Sequence, residues 1–389
     1  MKIGIVGTRG IPARYGGFET CAEELAKGLA AGGHKVYVAC RRHMYPEVWP
    51  GKARFFAPLR MTPFCHPEQG EGSIFLFFPP SLPGKATDTF SHTFFGVLYL
   101  LLFRPVDTIL VFNVANSPLI LFLRILGKKA ALNTDGLEWR RGKWGPAARA
   151  YFRFCELVAC LSGATLISDS RAIGDYYRRK YGKRTVFIPY GARVTPTLPP
   201  PPGGRDYGDD ILREYGLEKD RYLLVVGRLE PENNADLITR AFQRVSTDKL
   251  LVIIGETNWK SSYRRQLKKI DDRRVRFLGA IYRPGHLNRL LEGCYFYIHG
   301  HEVGGTNPAL LQAMGSGSCV LALDTIFNAE VVEKTGLLFA KDAGALAGKM
   351  QYLLVNPEVV RYYREAGPKR IREFYPWEKV ITGYERLFL

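Results

Sequence analysis

Short runs of aliphatic and β-branched residues alternate with longer stretches of helical periodicity along nearly the whole chain. This is the arrangement in which parallel strands are joined by crossover helices that cover the sheet. In the first half the predicted strands are 2–6, 35–40, 74–78, 108–112, 130–133, 165–168 and 186–189, with helical patterns such as 20–31 and 145–161 between them. The segment TPTLPPPPGG at 195–204 then interrupts the alternation. Proline has no amide to donate and a fixed φ, so this stretch can be neither helix nor inner strand and reads as a linker. After it the alternation restarts, with strands predicted at 222–226, 250–254, 275–278, 296–299 and 319–323. The expected fold is α/β: two Rossmann-like, doubly wound domains in series, 1–192 and 206–375, a linker at 193–205, and a last helix, 376–389, crossing back to the first domain. Ligands of such sheets sit beyond the carboxyl ends of the strands, so two domains facing across a cleft would bind there, and functional residues should lie in strand-to-helix loops.

The loops carry the candidate chemistry. GTRGIPARYGGFET, residues 7–20, joins the first strand to the first helix. Glycines there let a ligand approach the backbone, the Gly16 and Gly17 amides precede a helix start that favours anions, and Arg9 and Arg14 add charge beside Tyr15. The spacing is not that of a dinucleotide fingerprint: Gly4, Gly7 and Gly10 are three apart and no acidic residue follows the second strand in a dinucleotide-binding place, which argues against a dehydrogenase. TDGLEWRRGKW, 134–144, sets Asp135 at a strand end with Glu138 and Trp139 close behind. Asp135 reads either as a carboxylate that orients a sugar hydroxyl or as a helix N-cap.

In the second half, LLVVGRLEPENN places Arg228 just after a strand, where its planar, permanently charged fork could hold phosphate oxygens; an ion pair with Glu230 or Glu232 is the alternative. Asn233 follows, and Lys260, Arg264 and Arg265 lie after the next strand as further positive charge or a solvated helix face. The densest motif is YIHGHEVGGTNPALLQAMGSGSCVLAL. There Gly304, Gly305, Thr306 and Asn307 precede a helix expected from about Pro308 with Gln312 on its first turns, so their amides would meet an anion or a sugar. His299 and His301 have no third ligand at a metal-binding spacing.

Charge narrows the partner. The 389 residues carry 55 Lys and Arg against 37 Asp and Glu, net +18, and residues 1–190 hold 26 basic and 13 acidic side chains of these. The first half is expected to face something anionic: nucleic acid, a phospholipid surface or phosphorylated small molecules. No nucleic-acid recognition motif accompanies the charge, which sets aside a nucleic-acid-binding module. Seven cysteines form no C-x-x-C pair, and the N-terminus opens on a strand rather than a signal peptide, so a cytoplasmic location is expected. The apolar run 94–103 has ten residues, half the ~20 needed to span a bilayer, and reads as a core helix, with a peripheral membrane contact as the alternative.

Taken together and in order, GTRGIPARYGGFET, DGLEWRRGKW, SDSRAIGDYY, IPYGA, GRLEPENN and HEVGGTNPALLQAM make the chain resemble the retaining GT-B glycosyltransferases of family four, over nearly its whole length, and within them a rhamnosyltransferase-like bacterial subgroup. The resemblance implies transfer of a sugar from a nucleoside diphosphate to a hydroxyl, with no cofactor and no essential metal. It puts the nucleotide on the C-terminal domain and the acceptor on the N-terminal one. It implies catalytic roles for Asp135, Arg228 and Glu302, donor contacts from Gly16, Gly17, Arg228, Asn233, Lys260, Gly304, Gly305, Thr306, Asn307 and Gln312, and acceptor contacts from Arg9, Arg14, Tyr15, Glu138 and Trp139. Family members carry two glutamates eight residues apart where this chain has Gly304 and Gln312, with Glu302 two residues early, and a lysine where it has Asn233. Gln312 would suit a deoxyribose, so dTDP-L-rhamnose is the expected donor and a lipid-diphosphate-linked saccharide at an anionic membrane surface the expected acceptor. Another GT-B activity, such as sugar-nucleotide epimerisation, is the alternative enzyme.

Overall fold

A computed structural model describes residues 1–13, 16–45, 62–64, 73–82, 84, 87–142, 144–195, 207–256, 262–267 and 269–389. Most of the 195–204 proline segment, Arg14, Tyr15 and Lys260 lie outside the described residues. The chain forms two compact units, Met1–Tyr190 with Trp377–Leu389, and Gly191–Pro376.

The first unit contains β1 (Lys2–Val6), α1 (Gly17–Ala31), β2 (Lys35–Ala39), β3 (Thr62–Phe64), β4 (Ser73–Phe77), α2 (Thr87–Phe103), β5 (Thr108–Phe112), α3 (Ser117–Ile125), β6 (Lys129–Asn133), α4 (Pro146–Leu161), β7 (Thr165–Ser168), α5 (Arg171–Tyr181) and β8 (Val186–Phe187). Its eight strands lie in the order β3-β4-β2-β1-β5-β6-β7-β8. All pairs are parallel except β3 with β4. Every residue of β5, TILVF, is buried, as befits a strand covered on both faces. The connections through α2, α3 and α4 advance along the sheet in one direction and that through α1 in the other. With right-handed crossovers, α2, α3 and α4 therefore share one face and α1 takes the opposite one.

Helix α2 buries Ser91, His92, Thr93, Gly96, Val97 and Leu100, and a Cβ on Gly4 of β1 would fall 2.5 Å from Leu100, so one side of the apolar run at 94–103 packs in the core, while Phe94, Leu102 and Phe103 are exposed. No helix among the described residues is long and apolar enough to cross a membrane.

The second unit contains α6 (Tyr207–Glu214), β9 (Tyr222–Val226), α7 (Ala235–Phe242), β10 (Leu250–Ile254), α8 (Ser262–Leu267), β11 (Val275–Gly279), α9 (His286–Gly293), β12 (Tyr297–His299), α10 (Pro308–Gly315), β13 (Val320–Leu323), α11 (Ile326–Val332), β14 (Leu337–Phe339), α12 (Ala343–Val355) and α13 (Pro357–Phe374). Its sheet is all parallel, in the order β11-β10-β9-β12-β13-β14. Leu223, Val225, Ile253, Ile298 and Leu321 of its strands pack with Ile238 and Phe242 of α7 and with Leu346 and Met350 of α12 in one buried core.

The last helix, α14 (Trp377–Phe388), belongs to the first unit. It lies so close on α1 that a Cβ at Gly28 would fall 2.2 Å from Ile381. Tyr384 and Phe388 are fully buried there.

Candidate functional site

Order reverses in the second sheet between β9 and β12, where one neighbour series runs to β10 and β11 and the other to β13 and β14. A crevice opens at the carboxyl ends of strands at such a point. The two loops richest in candidate residues leave these two adjacent strands: Gly227–Asn234 follows β9, and Gly300–Asn307 follows β12.

Direct contacts join the loops. Asn234, in the left-handed region at φ 57°, donates from Nδ2 to the Gly300 carbonyl at 2.8 Å and to Glu302 Oε1 at 2.6 Å. The Glu302 amide donates to the Glu232 carbonyl at 3.0 Å. Glycine is required on the inner side of this junction. A Cβ on Gly300 would fall 2.5 Å from the Asn233 carbonyl oxygen, and one on Gly227 would fall 2.6 Å from the His301 ring. On the outer side the space is open, since a Cβ on Gly304 would meet no other atom within 4 Å.

Arg228 is half-buried on this edge and makes no ion pair among the described residues. The expected alternative of pairing with Glu230 or Glu232 does not occur. Its carbonyl accepts one N–H of the buried Asn233 amide at 2.8 Å, which ties Asn233 to the arginine's loop. Glu302 is engaged too, by Asn234 and by Lys341 Nζ at 2.5 Å. Helix α10 starts at Pro308 with Asn307 as its cap, the Asn307 Oδ1 accepting the Ala309 amide at 3.0 Å, and Thr306 is buried. Gln312 donates from Nε2 to Asn288 Oδ1 at 2.6 Å.

Below the loops His299 is fully buried, its Nδ1 3.0 Å from the Tyr297 hydroxyl, and its ring stacks on His301 at 4.3 Å. Burial pushes the His299 pKa down to about 3 from the ordinary 6.5, and the buried His92 of α2 is likewise pushed to about 3 by burial and by the Arg41 charge. Both are neutral in the folded chain at pH 7. The unfolded chain takes up these protons below about pH 6.5, so the stability contributed is complete above that pH and is lost as pH falls toward 3. For each histidine the loss approaches about 1.4 kcal/mol per pH unit. In urea unfolding, the stability lost between pH 7 and pH 5 is expected to be about 2 kcal/mol smaller in His92→Gln than in the wild type; an unchanged loss contradicts the assignment.

In the first unit the order reverses between β1 and β5, and the 7–16 loop leaves β1 at this point. Here the chain's own packing requires glycine at two positions. Gly7 (φ 93°) and Gly10 (φ 114°) are so close to Phe112 and Cys40 that a Cβ would fall 2.3 and 2.6 Å from them. The N-terminus of α1 is also furnished internally: Gly16 is its cap residue, Gly17 its first residue, and the buried Glu19 of its first turn accepts the Arg9 amide at 3.0 Å. Burial raises the Glu19 pKa, with the Arg9 charge opposing. The anion-favouring position foreseen at Gly16 and Gly17 is thus flanked by the chain's own carboxyl group.

Asp135 stands just past β6, half-buried, at φ 59°. Its amide donates to Asn133 Oδ1 at 3.0 Å, while Asn133 Nδ2 donates to the Tyr384 hydroxyl of α14 at 2.8 Å. Neither Asn133 nor Tyr384 is among the residues foreseen from sequence. Asn133 sits two positions before Asp135 and could have been found; Tyr384, some 250 residues away, could not. Glu138 is buried, paired with Arg141 and accepting from Trp144 Nε1 at 3.0 Å. Trp139 is surrounded by cations, Arg153 4.5 Å, Arg140 5.3 Å and Lys180 5.6 Å from its ring centre.

Comparison with known proteins fits this architecture. Residues 220–356 match the family model described as Glycosyl transferases group 1, and residues 1–49 and 107–193 match a domain of unknown function, DUF1972. A curated Campylobacter jejuni protein, N-acetylgalactosamine-N,N'-diacetylbacillosaminyl-diphospho-undecaprenol 4-alpha-N-acetylgalactosaminyltransferase, is 25% identical over 172 residues, 43% of this chain and 46% of that protein. The matched region thus spans less than half of that relative's length. Among solved structures, sucrose-phosphate synthase from Thermosynechococcus elongatus superposes with a TM-score of 0.74 at 18% identity, covering 100% of this chain and 98% of the other. Anabaena Alr3699/HepE in complex with UDP and glucose superposes with a TM-score of 0.74 at 14% identity, covering 99% and 98%. The fold, two Rossmann-like units with parallel sheets, is the one these GT-B structures share.

Proposed function

We propose that the chain is a retaining glycosyltransferase that moves L-rhamnose from dTDP-L-rhamnose to a hydroxyl of a lipid-diphosphate-linked saccharide, as a peripheral protein on the cytoplasmic face of an anionic membrane. The observation that carries the reading is Arg228, whose guanidinium makes no ion pair among the described residues, on the loop bonded through Asn234 to the loop that carries the open Gly304, at a sheet's switch point. That pairing suits a diphosphate.

As the bond between sugar C1 and phosphate oxygen lengthens, negative charge grows on the leaving diphosphate, and Arg228 with the amides of the glycine turn stabilises it. The acceptor hydroxyl attacks C1 from the face the diphosphate leaves. Its proton passes to a departing phosphate oxygen, so the balance needs no protein base. Asp135, held by Asn133, would align the hydroxyl. Because Arg228 meets the diphosphate charge, activity is expected to persist in EDTA; complete loss that Mg²⁺ restores would contradict this.

The choice of a deoxynucleoside, thymidine, rests on Gln312, neutral where related enzymes carry a glutamate, with one N–H of its amide engaged by Asn288. One carbonyl acceptor suits a sugar lacking the 2′-hydroxyl. The lipid-linked acceptor draws on the name of the Campylobacter jejuni relative and on the basic first half. The test is release of nucleoside diphosphate from dTDP-L-rhamnose and from UDP-sugars, with and without acceptor. Acceptor-dependent dTDP release supports the reading. Turnover of UDP-sugars alone overturns the donor, and release independent of acceptor favours epimerisation or hydrolysis.

A further inference from the structure

Helix α4 has a second apolar stripe that its core packing does not use. Phe152, Cys155 and Ala159 face inward and are buried. On its outer side Ala147, Ala150, Phe154, Leu157 and Leu161 recur at alternating spacings of three and four, and all are exposed. Phe154 is 55% and Leu161 75% exposed. Such spacing normally marks a face against something apolar. The neighbouring α3, on the same face of the sheet and packed on α4, continues the surface with Leu121, Phe122, Ile125 and Leu126, all exposed, Ile125 by 76%. An apolar area built from two adjacent helices is more than scattered exposed side chains.

The flanking charge has one sign. Arg124 of α3 and Arg149 and Arg153 of α4 are exposed around the stripe, and Lys129 follows α3. Neither helix exposes a carboxylate. The one acid they contain, Glu156, is buried and accepts hydrogen bonds from Tyr176 at 2.7 Å and Tyr181 at 2.8 Å. Two copies meeting through this face would bring their arginines together. An anionic lipid surface would take the apolar side chains among its acyl chains and the cations among its headgroups.

We infer that the outer face of α3 and α4 is a membrane-docking surface for anionic phospholipid. The inference deepens the proposed function, resting on its membrane placement, and it assigns that placement to named side chains. Apolar residues of this kind contribute about tenfold each in partitioning when fully inserted, and each basic residue near the surface about fivefold. The experiment is flotation of the full chain with phosphatidylcholine vesicles containing phosphatidylglycerol, and with phosphatidylcholine alone, at low and high salt. The variants are Ile125→Ser/Phe154→Ser/Leu161→Ser and, separately, Arg124→Glu/Lys129→Glu. The wild type is expected to float with the anionic vesicles at low salt. Partitioning should fall at least about tenfold in each variant. Failure of the wild type to float, or flotation of the triple serine variant like the wild type, overturns the inference. So does a wild-type dimer in sedimentation equilibrium that the serine variant converts to monomer without any vesicle binding, which would give the face to a second copy. The melting-temperature shift with nucleoside diphosphate, measured on the same proteins, reads the enzymatic reading separately. A variant that keeps the shift and loses flotation is folded. Flotation without any shift leaves the docking surface standing and removes the donor site.

Discussion

Arg228→Ala is expected to lower turnover by about 10²–10³ while leaving urea unfolding unchanged, because the residue acts where charge develops and not where the fold is held. Its guanidinium makes no ion pair among the described residues, so truncation strands no buried partner. Arg228→Lys should fall between the two, since an ammonium keeps the charge but not the planar fork that grips two oxygens at once. Near-normal turnover in the alanine variant, or lost turnover with lost stability, would remove Arg228 from the proposed role.

Gly255→Ala is expected to have the largest effect on stability in the second unit. Gly255 follows β10 at φ 151°, and a Cβ there would fall 1.8 Å from the carbonyl oxygen of Gly227, next to Arg228. Backbone on both sides is fixed: the Gly227 amide donates to the Ile254 carbonyl at 3.0 Å and the Gly255 amide to the Gly279 carbonyl at 2.8 Å. Relief requires the β9 and β10 ends to separate, a cost of about 3 kcal/mol or more when unfavourable φ and overpacking add. The comparison is Gly285→Ala, which shares a positive φ, 79°, but opens onto space with no atom within 4 Å, and should cost only about 1 kcal/mol. Equal destabilisation of the two variants in urea would show that φ alone, and not the close approach of the loops, demands glycine at 255.

Most of the fold could be read from the chain because buried parallel strands are continuous apolar runs. Strands β5, β9 and β10 coincide with the runs at 108–112, 222–226 and 250–254. What escaped was short or at an edge. Strand β3 is three residues, Thr62–Phe64, antiparallel to β4 with Pro63 at its centre, and proline in a strand is tolerated at an edge where no ladder donor is needed. Strand β14, LLF, is too short for period to separate it from a helix turn. The strand expected at 186–189 stops at Phe187, before Pro189, which has no amide for the ladder.

Among the site residues, loop placement was legible and side-chain use was not. The loops that carry Arg228 and Gly304 are neighbours because β9 and β12 are, a consequence of topology that strand-end motifs imply. Asn233, Glu138 and Glu302 lie on the right loops, yet each is engaged within the protein, by the Arg228 carbonyl, by Arg141 and Trp144, and by Asn234 and Lys341. Spacing along a chain reports which loop a side chain is on, and cannot report which polar neighbour it meets. The exposed stripe on α4 shows the same gap from the other side. Its pattern of threes and fours reads as core, and only the solvent exposure of Phe154 and Leu161 reveals an uncovered face.

In the proposed function the switch-point edge between β9 and β12 holds a nucleoside diphosphate. Titration calorimetry of the full chain with dTDP and UDP, repeated on Arg228→Ala, tests it most directly. Saturable binding of dTDP at one site per chain is expected, weakened about tenfold or more by the substitution through loss of a charge-assisted hydrogen-bond pair. Saturable binding that Arg228→Ala leaves unchanged, or no binding of either nucleotide to the wild type, would contradict it.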